Sequence, residues 1–365
     1  MKFALPATAL ALGLCLLTHA PAEKSASEIT KEFIYTTAPF PSSHASTLVQ
    51  LKSGDLMAAW FGGTYEGKPD VAIWSSVRSS DGWSKPVELA REPNTPCWNP
   101  VLFHTHDARL WLYYKFGPNP SSWTGARRWS TDEGRTWSPI EHLPAGILGP
   151  IREKPLLEAN GHILSGSSVE SYHAWAVWIE RSTDNGRTWT KIGPITYPNN
   201  NYPNPGRPST IPPANQDGVS GIIQPVIVEL SPGHFRLYAR ATENIGHIVI
   251  ADSTAHSDND DGLNWSPTRL LALPNPNSGI DAIRLKDGRI VLIYNDSTQG
   301  RTPLNLAVSR DGEHFHNFAT LENTPGEYSY PAIIQQRDGS LSATWTWQRT
   351  RIRYAHIPLA TIPKS

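Results

Sequence analysis

Two groups of residues in this sequence bring reactive side chains to regular intervals. The first is a repeated acid: STDEGRTW at 130–137 and STDNGRTW at 182–189 differ at one position, and their Asp132 and Asp184 stand 52 residues apart. Repeated Asp beside Ser and Thr suits a metal or catalytic cluster. The same residues also build tight turns, in which Asp and Ser oxygens accept backbone N–H groups and Gly supplies the turn geometry. Copies one repeat apart would be spread around the molecule and could not meet at one ligand, so the sequence predicts a structural role, with Trp stapling each turn to its sheet. The second group comprises polar or aromatic residues that each open a short apolar stretch: His44, Trp98 and Asn99, Arg152 and Lys154, Gln224, Ser278 to Asp281, and Tyr330. If these starts converge they form a ligand pocket; taken singly they are caps of buried strands.

The elements that must position them repeat with the same period. Weaker copies of the acidic motif stand at Asp81, Asp260 and Asp311, so successive Asp residues are 51, 52, 76 and 51 apart. The long gap holds a Pro/Asn-rich segment, 197–218, that reads as an inserted loop. In phase with these run six apolar stretches, beginning near residues 44, 98, 153, 224, 279 and 330, each bounded by a polar turn and followed by a second aromatic-rich strand such as LWLYYKFG or RIVLIYND. Short apolar runs bounded by turn residues read as buried strands, and a constant period near fifty signals a repeat architecture. The sequence therefore predicts an all-β, six-bladed β-propeller over residues 33–360, with FIYTTAPF (33–40) returning to complete the last blade and hide its edge.

Composition narrows the rest. Lys plus Arg number 32 against 33 acids, which gives no electrostatic footprint for nucleic acid. Residues 1–22 read as a signal peptide, with Lys2, an apolar run and an Ala20-Pro21-Ala22 cleavage site, followed by a linker at 23–32. After cleavage Cys97 is the single cysteine, so an intrachain disulfide is not expected. The expectation is an exported protein, periplasmic or extracellular, monomeric, with no membrane segment after cleavage and no metal or cofactor.

The repeated STD(E/N)GRTW element resembles the Asp-box, the bacterial neuraminidase repeat, and over about residues 31–358 the pattern looks like a sialidase-type propeller. That resemblance implies a Tyr nucleophile, a carboxylic acid/base from a first-blade loop, and three Arg that clamp a substrate carboxylate. On the family's pattern Tyr330 of SYPAIIQQRDG is the nucleophile, with Tyr328 as the alternative, and Arg301 is the third Arg. In GTYEGKPDVAIW, Glu66 falls nearest the acid, with Asp70 as its partner or substitute. The first two Arg belong where Ser43-His44-Ala45 and Gly246-His247 stand, and the Glu that assists the Tyr is replaced by Gln224. Arg152, Lys154, Arg240, Arg349 and Arg351 are candidate replacements for the missing cations, and Glu170 or Glu158 for the missing base. His44, Trp98, Asn99, Asp281 and Trp347 complete the expected glycan contacts. The resemblance implies an exo-acting glycoside hydrolase that removes a terminal acidic sugar. Two alternatives stay open: a lyase of uronate-containing glycans, with His44 or His247 as base, and a glycan-binding propeller without catalysis.

Overall fold

A computed structural model describes residue 1 and residues 28–171, 174–198, 220–255, 257, 260 and 262–364. The expected signal peptide and most of the 197–218 segment lie outside the described residues. The described chain is built from strands that pair antiparallel, apart from one short parallel contact of Ala174–Trp175 with Ser220–Gly221, and its single helical element is a 3-10 turn at Leu359–Thr361.

The strands form six blades. The first runs Ser42–Gln50, Leu56–Gly63 and Ala72–Ser79, with Gly82–Trp83 and Val87–Ala90 on its outer edge. The second runs Cys97–His104, Leu110–Phe116, Thr124–Ser130 and Glu141–His142; the third, Leu156–Leu157, Ile163–Glu170, Ala174–Ser182 and Thr190–Ile195. Blade four is Ser220–Ser231, His234–Ala241, His247–Thr254 and Arg269–Pro274, and blade five Asp281–Arg284, Ile290–Asn295, Leu304–Ser309 and His316–Glu322. The last blade takes Tyr328–Gln335, Leu341–Trp347 and Arg351–Ile357 from the C-terminal end and one strand from the N-terminal end. That closing strand is Thr30–Phe33, paired antiparallel to Arg353–His356, and not the expected 33–40. The strand pairing ends there, with the Ile34 N–H still donating to Ile352 O at 3.0 Å before the chain bends away. Ile34, Tyr35 and Phe40 are instead buried against Trp60 and Tyr354, between the last blade and the first.

Apolar clusters fill the spaces between neighbouring blades. The innermost strands carry a device that the sequence only hinted at. In four of them the register slips at the same place, at Ala45, Asn99, Gln224 and Tyr330, and each of these residues adopts a positive φ of 52°, 40°, 52° and 50°. Three are followed by proline (Pro100, Pro225 and Pro331), which cannot donate to a ladder. A bulge of this kind bends the strand and re-aims a side chain, and non-glycine residues in such a conformation store strain that the surrounding packing must hold.

The acidic turns follow the third strands. Asp132 accepts the Thr136 N–H at 2.8 Å, its hydroxyl at 2.6 Å and the Ser130 hydroxyl at 2.8 Å, while Trp137 Nε1 donates to Gly134 O at 3.0 Å. Asp184 repeats the pattern with Thr188 and Ser182. Topology decides what these turns can reach. Within blade two Ser130 pairs with Leu110, whereas Cys97, at the start of the inner strand, pairs with Phe116. The acidic turns and the starts of the inner strands therefore lie at opposite ends of the blades.

Candidate active site

All six blades contribute to one cavity of about 250 Å³ at the end where the inner strands begin. Antiparallel pairing brings two kinds of segment to this end: the starts of inner strands, and the loops that join second strands to third. The inner strands supply Trp98, Asn99, Gln224 and Tyr330; the loops and strand ends supply Glu66, Pro120, Trp123, Glu170, Trp175, Arg240, Arg301 and Arg349.

Tyr330 is the centre of the arrangement. Its hydroxyl oxygen accepts from Arg240 Nη1 at 2.8 Å and from Gln224 Nε2 at 3.4 Å. Arg240 Nη1 also donates to Gln224 Oε1 at 3.1 Å, and its Nε to Asn277 Oδ1 at 2.8 Å, so the guanidinium is fixed from three sides. The guanidinium groups of Arg152, Arg240 and Arg301 lie 5.3, 5.7 and 5.8 Å from the centroid of the tyrosine ring. His44 meets that ring edge-on at 4.4 Å. It is 2% exposed, and both its ring nitrogens lack a hydrogen-bond partner among the described residues. Burial, and then the charges of Arg349, Arg301, Arg152 and Arg240, hold its basicity well below the usual imidazole range, so His44 is neutral.

A second network fixes the remaining cations. Glu327 accepts Arg301 Nη1 at 2.9 Å and Arg349 Nε at 2.9 Å on each of its oxygens. Although burial opposes it, these two arginines hold the Glu327 carboxyl below the usual range. Arg349 extends its Nη1 to Glu66, which joins the hairpin turn of the last blade to the loop of the first. Glu66 is presented by a turn at Gly67, whose φ is 79° and where a Cβ would touch the Trp98 ring. Glu170 is the third carboxyl group near Tyr330. Burial pushes it up to about 7, and the Glu66 charge adds to this while Arg240 opposes it.

The structure thus gathers Glu66, Trp98, Asn99, Gln224, Arg240, Arg301, Tyr330 and Arg349 in one cavity, with His44 and Arg152 packed on the tyrosine ring. Other expected residues lie elsewhere. Asp70 closes its own loop, accepting the Thr64 N–H at 2.8 Å and hydroxyl at 2.7 Å. Lys154 and Asp281 pair with each other at 2.7 Å, and Asp281 also accepts the Ile333 N–H at 2.8 Å, so both serve the packing of blades three, five and six. Tyr328 is 1% exposed in the core between the last two blades. Trp347 packs on Phe33 at 5.3 Å and beneath Arg351. The second cation beside the tyrosine is Arg240, not a residue near Gly246-His247. Of the two candidate bases, Glu170 faces the cavity, whereas Glu158 sits in the hairpin turn at the far end of its blade. Trp123, Trp175 and Glu327 escaped the sequence reading; the nearest signal was EYSYPA, in which Glu327 precedes Tyr330 by three residues.

The profile of the BNR repeat-like domain matches residues 54–343. The chain belongs to that family. No curated protein matches it by sequence. Among solved structures, this BNR repeat-like protein is similar to the NanB sialidase of Streptococcus pneumoniae, with a TM-score of 0.68 and 13% identity over 91% of this chain and 71% of that one. It is similar also to the intramolecular trans-sialidase of Ruminococcus gnavus, crystallised with oseltamivir carboxylate (TM-score 0.69, 14% identity, 92% and 98% covered). A protein of unknown function from Dyadobacter fermentans gives a TM-score of 0.70 and 16% identity over 90% and 98% of the two chains. At these identities the likeness is one of fold.

Proposed function

We propose that this BNR repeat-like protein is an exported glycoside hydrolase that removes a terminal acidic sugar, sialic acid or a relative, from a glycan, and that it acts as a monomer. The observation that carries the reading is the Tyr330 hydroxyl held by Arg240 at 2.8 Å, in a cavity that also contains Arg301, Arg349, Glu66 and Glu170. A sugar whose anomeric carbon bears a carboxylate repels an anionic nucleophile, and a Tyr nucleophile suits it. A guanidinium at hydrogen-bond distance favours the charge that develops on the phenolic oxygen during attack. Arg301 and Arg349, ordered in advance by Glu327, offer planar donors to the sugar carboxylate. A carboxylic acid, from Glu66 or Glu170, protonates the leaving oxygen, and Trp98, Trp123 and Trp175 offer flat apolar faces to sugar rings.

A lyase is the second reading, favoured by the neutral His44 against the Tyr330 ring. In it an imidazole takes the proton α to a uronate carboxylate and Tyr330 protonates the leaving oxygen. The deciding experiment incubates purified protein with sialosides, uronate-containing glycans and plant polysaccharides. Release of a free reducing acidic sugar is the expected result. Absorbance from an unsaturated uronate identifies the lyase instead, and binding without any product identifies a glycan-binding propeller.

A further inference from the structure

This inference rests on the glycosidase reading and concerns the proton that the reaction needs. Two carboxyl groups share the cavity with Tyr330, in unlike settings. Glu66 is engaged by Arg349, which is itself anchored by both oxygens of Glu327. To carry a proton Glu66 would have to give up that ion pair, and Arg349 would lose one of its two fixed partners. Glu170 ends the second strand of blade three, opposite Trp175 in the register, and faces the same cavity. The cation that acts on it, Arg240, is committed to Tyr330, Gln224 and Asn277. Glu66 is thus committed to an ion pair, whereas Glu170 faces the cavity with its neighbouring cation engaged elsewhere.

The structure assigns the general acid to Glu170, a blade-three residue, with Glu66 retained as the positioning partner of Arg349. The step balances as follows. The phenolic proton of Tyr330 passes to water, and the phenolic oxygen bonds to the anomeric carbon as the bond to the leaving oxygen breaks. The Glu170 carboxyl proton goes to that oxygen. In the second half the Glu170 carboxylate takes a proton from the attacking water, the hydroxyl bonds to the anomeric carbon as the bond to the phenolic oxygen breaks, and the departing phenolate takes back its proton from water. The charged and titratable groups that share the cavity with Glu170 are Arg240 from blade four, Glu66 from blade one, Arg301 from blade five, and Tyr330 and Arg349 from blade six. With its carboxyl pushed up to about 7 by burial, Glu170 holds the required proton below that pH and loses it above.

The test compares wild type, Glu170→Gln and Glu66→Gln on the 4-methylumbelliferyl glycoside of N-acetylneuraminic acid, whose leaving group needs little protonation, and on 3′-sialyllactose, whose leaving group needs it. Glu170→Gln is expected to lose about 10²–10⁴-fold in kcat on sialyllactose and about tenfold or less on the aryl glycoside, with the alkaline fall of kcat/KM near pH 7 abolished. Glu66→Gln is expected to affect both substrates alike, mainly through KM. Equal losses in Glu170→Gln on both substrates, or an unchanged alkaline limb, overturn the assignment. A carbon-13 titration of carboxyl-labelled glutamates, read as the signal missing from Glu170→Gln, needs no substrate. Ionisation near 7 supports the assignment, and ionisation in the ordinary range near 4 overturns it. Failure of wild type to release any acidic sugar overturns the glycosidase reading and leaves the titration to decide the state of Glu170.

Discussion

Arg240 and Tyr330 stand 90 residues apart in the chain, and the guanidinium of one donates to the hydroxyl of the other at 2.8 Å. Because Arg240 Nη1 is shared with Gln224, the Tyr330 hydroxyl of the last blade is oriented by two strands of the fourth. Arg240→Met should remove the charged donor to that oxygen and lower kcat by about 10²–10³-fold, the usual cost of one preorganised donor. Steady-state kinetics, with circular dichroism to confirm folding, checks this. A wild-type kcat would remove Arg240 from the mechanism.

Tyr330→Phe tests the nucleophile directly. The ring is packed by His44 and by the surrounding guanidinium groups, contacts that phenylalanine keeps, so the variant should fold. Its kcat should fall at least about 10³-fold, as expected when a nucleophile is deleted. Full activity in this variant is incompatible with attack by Tyr330.

Lys154→Met addresses stability. Asp281 is 2% exposed, and without Lys154 its carboxylate keeps only the N–H groups of Ala282 and Ile333. Breaking a largely buried pair from one side should cost about 3 kcal/mol, read as a lower urea midpoint with an unchanged slope. A midpoint equal to wild type would show that the backbone donors suffice.

The acidic turns should matter for stability and not for chemistry. Asp132→Ala should lower the melting temperature while leaving kcat per folded molecule unchanged. Bonds from the Thr136 hydroxyl, its N–H and the Ser130 hydroxyl hold the Asp132 carboxyl down to about 2, below the usual value near 4. Its stabilisation is therefore complete above about pH 4 and is lost as the pH falls through about 2. The gap in melting temperature between variant and wild type should shrink over that interval. A constant gap would show that the carboxylate charge contributes nothing.

The amino-acid sequence determined the ring by itself. Period, turn residues and apolar runs are local properties, and each inner strand announces its start with a polar residue, in three cases just before proline. Tyr330, Gln224 and Asn99 were legible for that reason. Closure of the ring was legible too, although the closing strand is Thr30–Phe33 and not the expected 33–40. Arg240, Glu170 and Trp175 were harder to place, because they lie at the ends of second and third strands, where side-chain direction depends on how far each strand runs before it turns. Glu327 shows why the cation network could not be read: it binds Arg301 from one blade and Arg349 from a hairpin that also reaches Glu66 across the seam of the ring. No local pattern encodes such a junction. Only tertiary closure decided that Glu66 pairs with Arg349 while desolvation raises the Glu170 carboxyl, because that difference arises from packing between blades distant in sequence.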